Sequence, residues 1–326
     1  MEQILEGQKT KEQAPTSDVE RASSALVISQ PTDQIALTKS IVPSAEIQIL
    51  PQDCGCGGGA NGTLGYVFAI GRLYPTFPNK SIEKEYDYAY QEFKADGPPN
   101  ALFYQVLSQG KNLYIAQQIC WILQIDGVDT YIVKPRTDAE LYHFIASLEP
   151  VNVGELHYDV IVGKRGPVAS AEECNGLQLP TVVCDLSYDF TFNQFVTNVQ
   201  ASISGIPTNV VQSMLQQMLQ ISDNAGETDA HRAINYLTIR NKDIYTMAWQ
   251  MQVPTSTPPY PPGAYFLQNV NVTPANVQGN RSIVDVIFEY LARDTYEKYF
   301  WYVKVDVTGE FPFLASKQIA KYYPAP

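Results

Sequence analysis

The C-terminal stretch RSIVDVIFEYLARDTYEKYFWYVKVDVTGEFPFL, residues 281–314, constrains the fold more than any other part of the chain. Apolar and polar residues alternate on both sides of the polar segment ARDTYEK, which is the period of a strand, so the stretch predicts a long β-hairpin. Such a hairpin has an apolar face that other elements must cover. The chain upstream supplies amphipathic helices for that purpose.

YVFAIGRLYP, residues 66–75, is a strand-length apolar run closed by Pro75, and NKSIEKEYDYAYQEFK then spaces Ile82, Tyr86, Ala89, Tyr90 and Phe93 as one helix face that Gly97, Pro98 and Pro99 end. In LYIAQQICWILQIDG the residues Leu113, Ala116, Ile119, Cys120 and Leu123 predict a helix with Cys120 on its buried face. TYIVKP reads as a strand, and Thr137 with Glu140 forms a capping box for the helix TDAELYHFIASLE. YDVIVG and TVVCDLSYDF read as strands flanking the loop KRGPVASAEECNGLQLP. Beyond residue 191, Thr191 with Gln194 caps TFNQFVTNVQASI, and TNVVQSMLQQMLQIS and TDAHRAINYLTIR give two more amphipathic helices. Met214, Leu215, Met218 and Leu219 suit either core or an adaptable groove. DIYTMAWQMQV and YFLQNVNV are expected strands separated by the Pro-rich PTSTPPYPPG.

These elements predict an α+β fold of mixed sheets with amphipathic helices packed against them. It divides into an α/β half over residues 63–190 and a helical plus β-hairpin half over 191–326. Residues 1–62 hold almost no aromatics and end in a CGCGGG linker, so they are expected to form a disordered arm in which ALVIS and EIQIL are the ordering-prone fragments.

Of the 326 residues 45% are hydrophobic, enough for a sizeable core, and the formal net charge of -12 opposes nonspecific association with nucleic acid or an anionic membrane. No apolar run approaches the roughly 18 residues of a membrane span. The N-terminal MEQILEGQKTKEQ lacks a basic region followed by an apolar one, so a cytoplasmic protein is expected. Five cysteines, an odd and scattered set, make reduced thiols the expectation.

The runs YVFAIGRLYPTFPNKSIEKEY, AQQICWILQIDGVDTYIVKPR, YDVIVGKRGPVASAEECNGLQLP, DAHRAINYLTIR and the C-terminal hairpin, in that order over residues 63–324, resemble the C-terminal domain of unknown function of PatG and PatA, the large proteins of cyanobactin biosynthesis. The resemblance implies a shared fold, oligomerisation and a part in making a ribosomal peptide. It implies no catalytic residue, because that domain has no assigned activity. Protease motifs such as those that accompany it in PatG are not seen upstream in this chain.

Among candidate sites, the glycines of GTLGYVFAIGR lack the spacing of a phosphate cradle, and Arg72 is a candidate binding residue that is also expected to pair with an acid near the strand end. The loop KRGPVASAEECNGLQLP concentrates Lys164, Arg165, Glu173, Cys174 and Asn175, with Glu172 beside them, and is the leading local binding site, against a packed connection in which Cys174 is a small hydrophobe. Cys174 and His231 are a candidate zinc pair if the fold unites them, against a buried structural histidine, and otherwise no cofactor is expected. His143 and His157 read as structural. Cys54 and Cys56 offer a soft-metal pair, a crosslink between dimers, a pair heterocyclised as in a core peptide, or an incidental feature of a linker.

The expected function is noncatalytic recognition or scaffolding in a cyanobactin-like pathway, through capture of precursor peptide or a partner enzyme by a homo-oligomer. The alternatives are a peptide-modifying enzyme that uses Cys174 and His231 with Lys164 and Arg165, and an oligomeric structural protein.

Overall fold

Strand alternation and turn chemistry build a small barrel first. The computed structural model describes residues 65–93, 97–221, 223–253, 258–261, 263–275 and 280–324, which fall within one compact unit. The arm at residues 1–62, with ALVIS, EIQIL, Cys54 and Cys56, lies outside the described residues.

Strands β1 (Tyr66–Thr76), β2 (Cys120–Ile125), β3 (Val128–Pro135), β4 (His157–Val168) and β5 (Pro180–Thr191) close in the order β1-β2-β3-β5-β4. Every pairing is antiparallel except β3 with β5. The period of two sends Val67, Ala69, Leu73, Trp121, Leu123, Tyr131, Val133, Ile161, Val182 and Cys184 into one core. Helices α1 (Lys80–Phe93), α2 (Pro99–Leu107), α3 (Leu113–Gln118) and α4 (Asp138–Ala146) pack on it through Ile82, Tyr86, Leu107, Ile115, Leu141 and Phe144.

The opposite faces of β1 and β4 carry Phe68, Ile70, Val160 and Val162 into a second core. Its helices are α5 (Phe192–Ser202), α6 (Thr208–Leu219), α7 (Asp229–Arg240) and α8 (Asp243–Gln252). Its far wall is an antiparallel sheet of β6 (Tyr265–Pro274), β7 (Ile283–Ala292), β8 (Lys298–Asp306) and β10 (Ala320–Lys321), with β9 (Phe313–Leu314) also paired to β8. Helix α7 touches both β1 and β7, so a helical layer lies between barrel and sheet. Residues on both sides of position 190 share this core.

The α+β class and the hairpin are present as expected, β7 pairing with β8 from Ile283↔Asp306 to Leu291↔Lys298. Both capping boxes form, at Thr137 with Glu140 and at Thr191 with Gln194. Met214, Leu215 and Met218 are core residues, at most 2% exposed.

Three expectations are overturned. The helix over 113–123 stops at Gln118, and CWILQI is strand β2 with Cys120 at its start. The reason is the turn: Asp126 and Gly127 both hold positive φ, 49° and 79°, the backbone that a two-residue hairpin needs, and this commits 120–125 to pair with β3. DIYTMAWQMQV is helix α8, because Ile244, Met247, Ala248 and Met251 make one buried helical face while the Asn241 side chain accepts from the Asp243 and Ile244 amides. Reduced thiols give way to a Cys120–Cys174 disulfide with Cα atoms 6.0 Å apart. The loop between β4 and β5 folds back over the barrel, burying Ala169 on Ile122 and Ile132 with Leu177 and Leu179 packed against them, and sets Cys174 against Cys120. Among the described residues no helix is long and apolar enough to cross a membrane.

Candidate functional site

Where β1 leaves β4 to pair with β2, its two neighbours diverge and a cavity of about 400 Å³ opens at the barrel end. Its rim comes from Gly71 and Arg72 of β1, the β2–β3 turn at Asp126 and Gly127, Glu155 and His157 before and in β4, Gln220 after α6, and Asn224 and Asn235. Arg72 is exposed, and its side chain makes no hydrogen bond or ion pair among the described residues. That corrects the expected pairing with an acid. A guanidinium on a cavity wall without a counterion is a ready donor fork for a carboxylate.

The wall behind it is rigid. Phe68 donates its amide to Gly226 at 2.9 Å, the Asn235 side chain donates to the Phe68 carbonyl at 2.7 Å, and Asn224 donates to Asn235 at 2.7 Å. Gly226 has φ +76°, and a Cβ there would stand 2.4 Å from the Phe68 oxygen, so only glycine lets this loop add to the free edge of β1.

A second opening of about 780 Å³ shares Val151, Glu155 and His157 with the first and continues along β5 to Asp189. Between them His157 Nε2 lies 3.1 Å from Asp189 Oδ2, and the buried Asp159 accepts the Leu73 amide at 2.6 Å. Burial raises the Asp159 carboxyl to about 6, partly opposed by His157. Burial pulls the His157 imidazole down, but the Asp189 and Asp159 carboxylates outweigh it and hold it above its ordinary value, with Arg72 opposing them. Sequence reading missed this cluster. Its one legible signal was Asp159 inside the apolar run YDVIVG.

The other expected site residues are scattered. Lys164 lies 3.8 Å from Glu310 and Arg165 3.0 Å from Glu227, so both cations fasten the barrel to later loops. Glu310 also meets Asp185, which contacts Arg136; burial and then the Asp185 carboxylate raise Glu310 to about 7. Glu173 pairs with Lys134 at 3.3 Å, and Asn175 holds the turn of the disulfide loop at φ 51°. Arg72 is remote from Lys164: β1 pairs Tyr66 with Lys164, and six residues of strand separate Tyr66 from Arg72, roughly 20 Å.

Cys174 and His231 share neither a cavity wall nor a core cluster, and the Cys174 sulfur is bonded to Cys120, so it presents no thiolate to a metal in this state. His231 lies in the first turn of α7, and burial pushes its imidazole below the ordinary value. Among the described residues no group of three or more His, Cys, Asp or Glu side chains could hold a metal ion.

A family model described as PatG Domain matches residues 66–255, and one described as PatG C-terminal matches residues 202–322. A solved structure described as "PatG Domain of Unknown Function" superposes with a TM-score of 0.61 at 17% identity, over 79% of this chain and 98% of that one. No curated protein matches the chain.

Proposed function

Because the chain belongs to the PatG domain family, whose model spans residues 66–255, we propose that it is a noncatalytic recognition protein in a ribosomal peptide pathway of the cyanobactin kind. Its ligand is a segment of precursor peptide, or of a partner enzyme, that brings a carboxylate to Arg72. The observation that supports this reading is the uncompensated Arg72 guanidinium in a preformed cavity of about 400 Å³. On a rim that also carries the Asp126 and Glu155 carboxylates, Arg72 is the guanidinium able to pair with a ligand carboxylate and so to orient it. The loop–strand hydrogen bonds around Phe68, Gly226 and Asn235 fix the wall in advance, so little ordering opposes binding.

The test is calorimetric titration of the protein with a cyanobactin precursor peptide and with cyanobactin pathway enzymes. Charge-assisted hydrogen bonds contribute about 1.5–3 kcal/mol, so Arg72→Ala weakens binding by about 10- to 150-fold without lowering Tm. Absence of binding to any of these partners, or an Arg72→Ala variant that binds as tightly as the parent, refutes the reading. In the same reading the working form is a homo-oligomer. Light scattering that returns the monomer mass removes that element.

A further inference from the structure

The period of two places Ile70 and Arg72 side by side on one face of β1, and both line the cavity at the barrel end. Ile70 belongs to the second core and is 7% exposed, so the cation stands at the margin of an apolar wall. Ile125, Leu156, Tyr158 and Leu219 extend that wall. Of the rim carboxylates, Glu155 is already engaged: the Thr191 side chain, then those of Asn152 and Asn193, bond it at the start of α5 and hold its carboxyl below the ordinary value.

On the reading that Arg72 receives a carboxylate, we infer that the ligand is the free C-terminus of a peptide whose last residue is large and apolar. Its α-carboxylate pairs with Arg72, its last side chain enters the cavity, and its chain leaves through the second opening.

Three observations carry this. The first is the juxtaposition of a cation with apolar surface. An α-carboxylate and the side chain beside it leave the same Cα, so one terminal residue supplies both partners. An internal Asp or Glu ends in its carboxylate and brings no apolar group with it. The second is direction. The loop bonded through Gly226 and Asn235 to Phe68 closes one side of the cavity, and the turn at Asp126 and Gly127 stands on another. The cavity continues into the second opening, where the two share Val151, Glu155 and His157. A single continuation suits a chain end, whereas an internal segment needs two. The third is the character of the second opening. Asn152, Asn193, Gln194 and Asn198 bring side-chain amides to its wall, and an amide both donates and accepts, as a peptide group does. Glu149 and Asp189 on the same wall oppose an acidic segment, so the negative charge of the ligand belongs at its end and not along its length.

The experiment is calorimetric titration of the full chain with acetyl-Gly-Ser-Gly-Ser-Leu as the free acid. Three comparison peptides are its C-terminal amide, the free acid ending in Ser, and the amide of acetyl-Gly-Ser-Asp-Ser-Leu. Amidation is expected to weaken binding about 10- to 150-fold, the range for lost charge-assisted hydrogen bonds. Replacing the last Leu by Ser is expected to weaken it by about 10-fold or more, the range for a buried leucine side chain. Arg72→Ala should remove the difference between acid and amide. Leu156→Ser, at a position 55% exposed and so spared in folding, should narrow the ratio between the Leu and Ser peptides about threefold. Equal binding of acid and amide overturns the inference, as does equal binding of the Leu and Ser peptides, or no binding of the free acid at millimolar concentration. The amidated aspartate peptide separates this inference from the recognition reading. If it binds as tightly as the free acid and loses that affinity in Arg72→Ala, carboxylate recognition at Arg72 stands and the chain end is refuted.

Discussion

Replacing Arg232 by Met tests how the second sheet is fastened to the helical layer. Arg232 stands on α7 and is 3% exposed. Its guanidinium donates to the carbonyl of Val307 at 2.8 Å, to that of Gly309, and to that of Glu310 at 3.3 Å, with Asp229 Oδ1 at 3.4 Å. Its cationic face lies 5.3 Å from the Tyr66 ring centre, so one side chain ties the β8–β9 connection to the start of β1. Methionine keeps an apolar stem and removes every donor. Gly309 is exposed and Glu310 half-buried, so their carbonyls turn to water; Val307 is 1% exposed and its carbonyl is stranded. A stranded buried acceptor costs about 1–3 kcal/mol and the lost charged hydrogen bonds a further 1.5–3 or so, giving a total of about 2.5–6 kcal/mol. At about 2–4 °C of Tm per kcal/mol for a body of this size, the fall is roughly 5–24 °C. Urea unfolding and scanning calorimetry read both numbers. Asp229 has a side chain 48% exposed, so solvent screens its share and Asp229→Asn should cost about 1 kcal/mol or less. A loss below about 1 kcal/mol for Arg232→Met, or equal losses for the two variants, refutes the claim that the buried carbonyl clasp holds the sheet.

Two further predictions follow from the glycine tie and from the buried carboxyls. Gly226→Ala should cost roughly 3 kcal/mol or more because its Cβ would meet Phe68 backbone, whereas Gly127→Ala, also at positive φ but facing open space, should cost only about 1 kcal/mol; equal costs by urea unfolding would show that the loop does not press on β1. Asp159, raised to about 6, and Glu310, raised to about 7, bind protons more tightly in the folded chain, so their contribution is complete below the ordinary carboxylate range and lost as pH rises through those values. His157, also held above its ordinary value, acts in the same sense, while His231, pushed below its own, opposes them only at lower pH. Calorimetric Tm should therefore fall from about pH 4.5 to about pH 7, and Asp159→Asn should flatten the lower part of the fall, up to about pH 6; a Tm that rises across that window contradicts the assignment.

Much of the fold was legible in the pattern of residues because local rules and tertiary contacts agree there. The β7–β8 hairpin, the two capping boxes and the helix α4 follow from alternation, from side-chain reach to backbone amides and from helical spacing, none of which needs distant partners. The misreadings at 119–123 and 243–252 came from short apolar runs that satisfy both periods. At the first, Asp126 and Gly127 were the available signal and outrank the spacing; at the second, Ile244, Met247, Ala248 and Met251 carried the helical spacing, against the aromatic and β-branched residues that favour a strand.

The candidate site was less legible. Its residues come from positions 71–72, 126–127, 155–157, 220–224 and 235, and only barrel closure brings those segments to one rim. From the sequence alone came the hydrophobic periods, the turns and caps, the net charge and the family resemblance, since each depends on neighbours a few residues apart or on a sum over the chain. Which arginine stays without a counterion, which cysteines meet and which carboxyl loses its water depend on contacts between residues up to 167 apart, such as Asn235 with Phe68, and those distances exist only after the chain has closed on itself.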